Sequence, residues 1–149
     1  MKPSDEPMTL GRGLLAGLFT GIIISVVILV FNVIYRGAAH LYTYAVVMPV
    51  SIFMVFPLIN LVAGGIYFLF VGHLKKGRQL FSLINFLVMI LAALATAYIG
   101  RSATETSEEF RYLLVGCELI QGVLASILIP FFASHPRLFL TEKDIRGEE

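Results

Sequence analysis

Charged residues and cysteine are both scarce in this chain of 149 residues. Only 14% of the residues are charged, and eleven Lys and Arg residues against ten Asp and Glu residues give a formal net charge of +1. A soluble domain typically carries about 25% charged residues, and a nucleic-acid-binding domain is usually basic. The single cysteine, Cys117, excludes an internal disulfide and a metal site built from several cysteines. We therefore expect neither a soluble domain nor a nucleic-acid partner.

The sequence also lacks the short motifs on which common enzyme chemistries depend. It contains no HExxH, GxSxG or P-loop pattern and no pair of aspartates within an apolar run. Its histidines, His40, His73 and His135, lie at the ends of apolar runs, whereas paired haem ligation would need two imidazoles facing each other inside the protein. We therefore expect no metal, no cofactor and no enzymatic activity.

Apolar residues make up 58% of the chain and are concentrated in four long runs. A helix that crosses ~30 Å of hydrocarbon needs about 20 such residues, and the runs cover residues 14–35, 44–71, 80–99 and 112–132. Short polar links join the runs, so consecutive helices should pack antiparallel. The sequence predicts an all-α membrane protein, an antiparallel four-transmembrane-helix bundle that forms a single domain over residues 1–149, with a short tail over residues 133–149.

Basic residues are distributed unevenly between the two ends of the predicted bundle. Eight lie at the end that holds both termini and the second link, whereas the other end holds three: Arg36, Arg101 and Arg111. Cytoplasmic loops carry an excess of Lys and Arg, so both termini are predicted to be cytoplasmic. The chain has no Asn-x-Ser/Thr glycosylation acceptor, and a bacterial inner membrane is the expected location.

Polar side chains within the apolar runs are the candidate binding residues, because such groups are costly in hydrocarbon and frequently functional. Glu118 lies about 9 Å inside the fourth run at 1.5 Å per residue, and Gln121 lies one turn deeper. Asn32, Ser51 and Thr96 reach similar depths in the other runs, so the five could converge. They could bind a substrate or an ion, or they could fix helix packing by hydrogen bonds.

Two further features of the apolar runs leave alternatives open. Arg111 lies seven residues before Glu118 on the same helix face, and the two could form an ion pair. Pro49 and Pro57 each remove a backbone donor, so regular helical bonding should not persist through the second run. The resulting break could line a cavity beside Asn60, or it could be a static kink bonded by a polar side chain.

Small residues recur at intervals of four in the first run, at Gly13, Gly17, Gly21 and Ser25. This spacing places them on one helix face and allows another helix to approach closely. We predict a helix-packing interface there, and the partner helix could belong to the same chain or to another subunit.

The second link carries three neighbouring cations: Lys75, Lys76 and Arg78. Basic residues beside a membrane attract anionic lipid head groups at about 1 kcal/mol each, although most such residues only set topology. The expected partners are thus the lipid bilayer and a membrane protein or a second copy of the chain. The expected function is that of a non-enzymatic subunit or scaffold in a membrane complex, and the alternative is a small transporter or channel that uses Glu118.

Overall fold

The computed structural model describes residues 8–38, 49–99 and 108–135, and these residues form four α-helices with no strand among them. The helices are α1 (Leu10–Ala38), α2 (Pro49–His73), α3 (Gly77–Ile99) and α4 (Glu108–Ser134). Each contains a segment that is long and apolar enough to span a membrane. The predicted fold class, a bundle of four membrane-spanning helices, is confirmed; residues 44–48 of the predicted second span lie outside the described residues.

The four helices pack as antiparallel neighbours. The most extensive interface joins α1 to α2, the next joins α3 to α4, and α1 also packs on α4, whereas α2 and α3 contact each other less. Nη2 of Arg12, at the start of α1, donates to the carbonyl oxygen of Ala133 near the end of α4 at 3.4 Å. The start of α1, the α2–α3 turn and the end of α4 therefore lie at one end of the bundle, which we call the turn end.

The interface between α1 and α2 is formed by the small-residue ladder. A Cβ atom added to Gly13 would lie 2.6 Å from the carbonyl oxygen of Gly64, and one added to Gly17 would collide with the backbone of Asn60. Neither glycine could carry a side chain unless the two helices moved apart. The ladder therefore packs within the chain, which is one of the two arrangements that the sequence left open.

The prolines of the second run do not interrupt α2. Pro49 is the first residue of α2, and the helix continues without a break through Pro57. A Cβ atom on Gly21 would lie 2.5 Å from the Cα atom of Pro57, so α1 packs directly against the proline. The hydroxyl of Ser25 donates to the carbonyl oxygen of Gly21 at 2.8 Å and lies 3.4 Å from that of Ile52 on α2. Of the two alternatives, the break that could line a cavity is contradicted, and the static kink is compatible with the continuous helix, because contacts with a neighbouring helix allow a membrane helix to tolerate one missing backbone bond.

A second internal proline, Pro130, lies in α4 and was not predicted to affect the helix. Because proline has no N–H, Pro130 cannot bond to the carbonyl group four residues earlier, which belongs to Ser126. The hydroxyl of Ser82 on α3 donates to this carbonyl oxygen at 2.8 Å. A side chain from the neighbouring helix thus replaces the backbone donor that the proline lacks.

Candidate functional site

Glu118 on α4 is hydrogen-bonded to Thr96 on α3. The threonine hydroxyl donates to Oε1 of the carboxyl group at 2.7 Å. The other oxygen, Oε2, is buried and has no hydrogen-bond partner among the described residues. A buried carboxylate oxygen without a partner is costly, so Oε2 is the atom of this pair that could accept a proton or a cation.

Asn60 on α2 and Gln121 on α4 form a reciprocal amide pair. Nδ2 of Asn60 donates to Oε1 of Gln121, and Nε2 of Gln121 donates to Oδ1 of Asn60, both at 3.1 Å. Nδ2 of Asn60 also donates to the carbonyl oxygen of Phe56 at 2.8 Å. Asn60 is completely buried and Gln121 is 3% exposed. The two side-chain amides are hydrogen-bonded to each other, which is the arrangement expected of residues that hold two helices together.

The remaining candidates, Asn32 and Ser51, do not join these pairs. Asn32 is buried on α1, and its Nδ2 has no hydrogen-bond partner among the described residues. Ser51 is exposed on α2, which corrects the expectation that it converges with Glu118. The reason is helix rotation: the next residue, Ile52, is buried against α1, and consecutive helical residues point about 100° apart at 3.6 residues per turn.

Arg111 is paired with Glu108 rather than with Glu118. Its Nη2 lies 3.3 Å from Oε1 of Glu108, whose side chain is 74% exposed, and its guanidinium carbon lies 5.8 Å from the centre of the Tyr112 ring. The ion pair proposed from the seven-residue spacing is therefore wrong. Arg111 itself is only 6% exposed, and Glu108 lies three residues before it, a spacing that makes the two side chains neighbours on the helix surface.

A third polar group, which the sequence analysis missed, joins α3 to α4 nearer the turn end. Nδ2 of Asn85 donates to Oγ of Ser126 at 2.9 Å, and Oγ of Ser126 donates to the carbonyl oxygen of Gly122 at 2.6 Å. Ser82 completes the group through its bond to the Ser126 carbonyl. The available signal was a serine four residues before Pro130 in an apolar run, with Asn85 at a matching depth in the preceding run.

An apolar groove of about 250 Å³ lies between α2 and α3, where the two helices pack less extensively. It is lined by residues from 59 to 70 of α2 and from 81 to 89 of α3, and Asn85 is the polar residue among them. This groove is not predictable from the sequence, because its lining residues do not differ in type from residues that face lipid.

The predicted cationic cluster lies on the turn between α2 and α3. Lys75, Lys76 and Arg78 are all exposed. Gly77 is buried between them, and a Cβ atom there would collide with the carbonyl group of Phe70. The turn is therefore tight, and it holds the three cations next to the last residues of the groove.

The two histidines within the described residues, His73 and His135, each contact a carbonyl group of their own helix and do not face each other. Nδ1 of His73 lies 3.0 Å from the carbonyl oxygen of Leu69, and Nδ1 of His135 lies 2.9 Å from that of Phe131. Both contacts are exposed and local to one helix, and His40 lies outside the described residues. In the part of the chain that the structure describes, no three His, Cys, Asp or Glu side chains are grouped so that they could hold a metal ion.

In the part of the chain that the structure describes, side-chain hydrogen bonds thus link helices inside the bundle, and an apolar groove opens between α2 and α3. No protein-family model, curated protein or solved structure matches this chain. The function is therefore inferred from the arrangement of the side chains alone.

Proposed function

We propose that this protein is a non-enzymatic integral membrane protein that acts as a subunit or scaffold in a larger or homo-oligomeric membrane complex. The non-enzymatic part of this proposal is supported most strongly by the reciprocal bond between Asn60 and Gln121. Polar groups that bind a substrate must be free to exchange partners, whereas these are buried and bonded to each other. Their arrangement favours a role in holding the bundle together.

The exposure of α3 supports the assembly part of the proposal. Only 11% of the most apolar 18-residue stretch of α3 is buried inside the chain, compared with 39% for α1 and for α4. Most of the surface of α3 is therefore available to lipid or to a neighbouring subunit. An interface in a membrane complex would cover such a surface.

Site-specific crosslinking tests this proposal. A photo-crosslinking residue in place of Leu91 on α3 should yield a discrete protein adduct in the native membrane. Val33 on α1 offers the matched control, because both side chains are 65% exposed. Adducts to lipid alone at Leu91, or equal protein adducts at the two positions, would contradict an interface on α3.

The proposed location is a bacterial inner membrane, with the turn end and both termini in the cytoplasm. The exposed cations Lys75, Lys76 and Arg78 support this orientation through the positive-inside rule. Cys117 is the only cysteine, so a Cys117→Ala background allows single cysteines to be placed at Lys75 or at Gly37. A membrane-impermeant thiol reagent applied from outside should label the Gly37→Cys protein and not the Lys75→Cys protein; the reverse result would invert the orientation.

A second candidate function, ion or proton transport, is favoured by one observation. Oε2 of Glu118 is buried without a partner among the described residues, while Oε1 is held by Thr96. Glu118→Gln keeps an acceptor for the threonine hydroxyl and removes the charge, so it should abolish flux in liposomes while the fold remains. Glu108→Gln, which changes an exposed glutamate on the same helix, is the control. Flux that is unchanged in Glu118→Gln would end this candidate.

A further inference from the structure

The groove between α2 and α3 opens away from the centre of the bundle. Val62 on one wall is 59% exposed and Val88 on the other is 51% exposed, so both walls face the surroundings of the protein. The inner side is closed near the turn end by Phe81, which is 3% exposed and whose ring contacts Tyr67 edge-on with centroids 5.1 Å apart. The groove is therefore a surface cleft with an apolar floor.

The length of the groove matches one leaflet of a bilayer. Its lining on α2 runs from Ile59 to Phe70, which corresponds to about 16 Å of helix at 1.5 Å per residue. The hydrocarbon core of a bilayer is about 30 Å thick, so one leaflet contributes about 15 Å. An acyl chain that begins at the turn end would lie along the groove over its whole length.

Charge distinguishes the turn end of the groove from the opposite end of the bundle. Lys75, Lys76 and Arg78 are exposed on the turn that follows the last groove residues of α2. The acidic residues within the described ranges, Glu108, Glu109 and Glu118, all lie in the first half of α4, which is at the opposite end. Among the described residues, the turn at the end of the groove therefore carries three cations and no acid, which complements a negatively charged head group.

We propose that this groove and turn together bind one anionic phospholipid, with an acyl chain between α2 and α3 and the phosphate head group at Lys75, Lys76 and Arg78. This inference does not depend on whether the protein is a subunit or a transporter. It explains why the groove and the three cations are adjacent, which neither proposed function requires.

Native mass spectrometry of the full-length protein with added lipid tests the proposal. Phosphatidylglycerol and phosphatidylcholine with identical acyl chains differ in head-group charge and not in chain. Since a juxtamembrane cation contributes roughly a fivefold preference, phosphatidylglycerol should bind about 10- to 100-fold more tightly than phosphatidylcholine. Replacing all three cations by Gln should remove this preference, while the charge-conserving exchange of each Lys for Arg and of Arg78 for Lys should keep it.

The groove is tested separately by filling it. Ala63→Phe on α2 and Val88→Phe on α3 should each lower retention of both lipids about tenfold, because they occupy the space of the acyl chain. Val33→Phe on the exposed surface of α1 is the control, and helix content measured by circular dichroism verifies the fold. Two groove variants are used so that misfolding of one does not prevent the test.

Each other outcome overturns the proposal in a distinct way. Unchanged retention in both groove variants would mean that the turn attracts head groups without a chain site. Unchanged preference in the variant without the three cations would mean that the groove accepts any lipid. Loss of a crosslinked protein partner in the groove variants, with lipid retention intact, would identify a protein helix as the occupant.

Discussion

The α1–α2 and α3–α4 interfaces of this bundle are stabilised by different kinds of contact. Along α1 and α2 the backbones touch at glycines, and Gly17 has no room for a side chain opposite Asn60. Along α3 and α4 the contacts include hydrogen bonds from Ser82, Asn85 and Thr96 to partners on α4. Lipid gives no hydrophobic drive for helix association, so close packing and polar bonds take its place. Backbone contact at glycines characterises the first interface, and interhelical hydrogen bonds characterise the second, where Gly122 also packs closely against Met89.

The largest expected effect comes from breaking the close-packed interface. Gly17→Leu would place a side chain against the backbone of Asn60, and we expect a loss of about 3 kcal/mol in the free energy of unfolding, since overpacking costs 1–3 kcal/mol and occasionally more. Unfolding by SDS in mixed micelles measures this value. Gly11 has nothing within 4 Å of an added Cβ atom, so Gly11→Leu should leave stability unchanged; equal losses in the two variants would contradict close packing at Gly17.

The next effect tests the amide pair that joins α2 to α4. Gln121→Leu leaves the buried Oδ1 of Asn60 without its donor, while Nδ2 keeps its bond to Phe56, and we expect a loss of about 2 kcal/mol, within the range for an orphaned buried polar group. Adding Asn60→Leu should recover part of this loss, because both polar groups are then removed. The same SDS titration gives the coupling energy, and strictly additive losses would show that the pair does not act as a unit.

A smaller effect tests the polar interface at Pro130. Ser82→Ala removes the donor to the Ser126 carbonyl, and we expect a loss of about 1 kcal/mol, close to the upper range for such bonds in membranes. In a Pro130→Ala background the helix supplies its own N–H donor, so Ser82→Ala should then cost less than half as much. A double-mutant cycle measures this difference. An identical cost in both backgrounds would show that the Ser82 bond does not compensate for the missing N–H of Pro130.

These comparisons also explain which parts of the structure were predictable. The four helices follow from the length of the apolar runs, and the ladder face follows from the spacing of Gly13, Gly17 and Gly21. The partner of that face was not predictable, because spacing describes one helix and not its neighbour. At Pro57 the sequence left open whether α2 breaks or only kinks, since one run does not reveal the contact that α1 makes there.

The hydrogen-bond partners inside the bundle were only partly accessible. A helix that is apolar on all sides carries no stripe that reveals its rotation, so depth alone suggested that Ser51 joins Glu118. The same depth argument placed Glu118 and Thr96 together, and the structure bonds them. The bond between Asn85 and Ser126 was not predicted, because the depth comparison covered only the polar residues in the other half of the membrane.

We propose that this protein works in an assembly rather than alone. The most direct test is the native mass of the protein extracted from its own membrane in mild detergent. The account predicts a defined complex heavier than the 16.5 kDa chain, with a stoichiometric partner or a fixed number of copies. A homogeneous monomer that carries only lipid would contradict it.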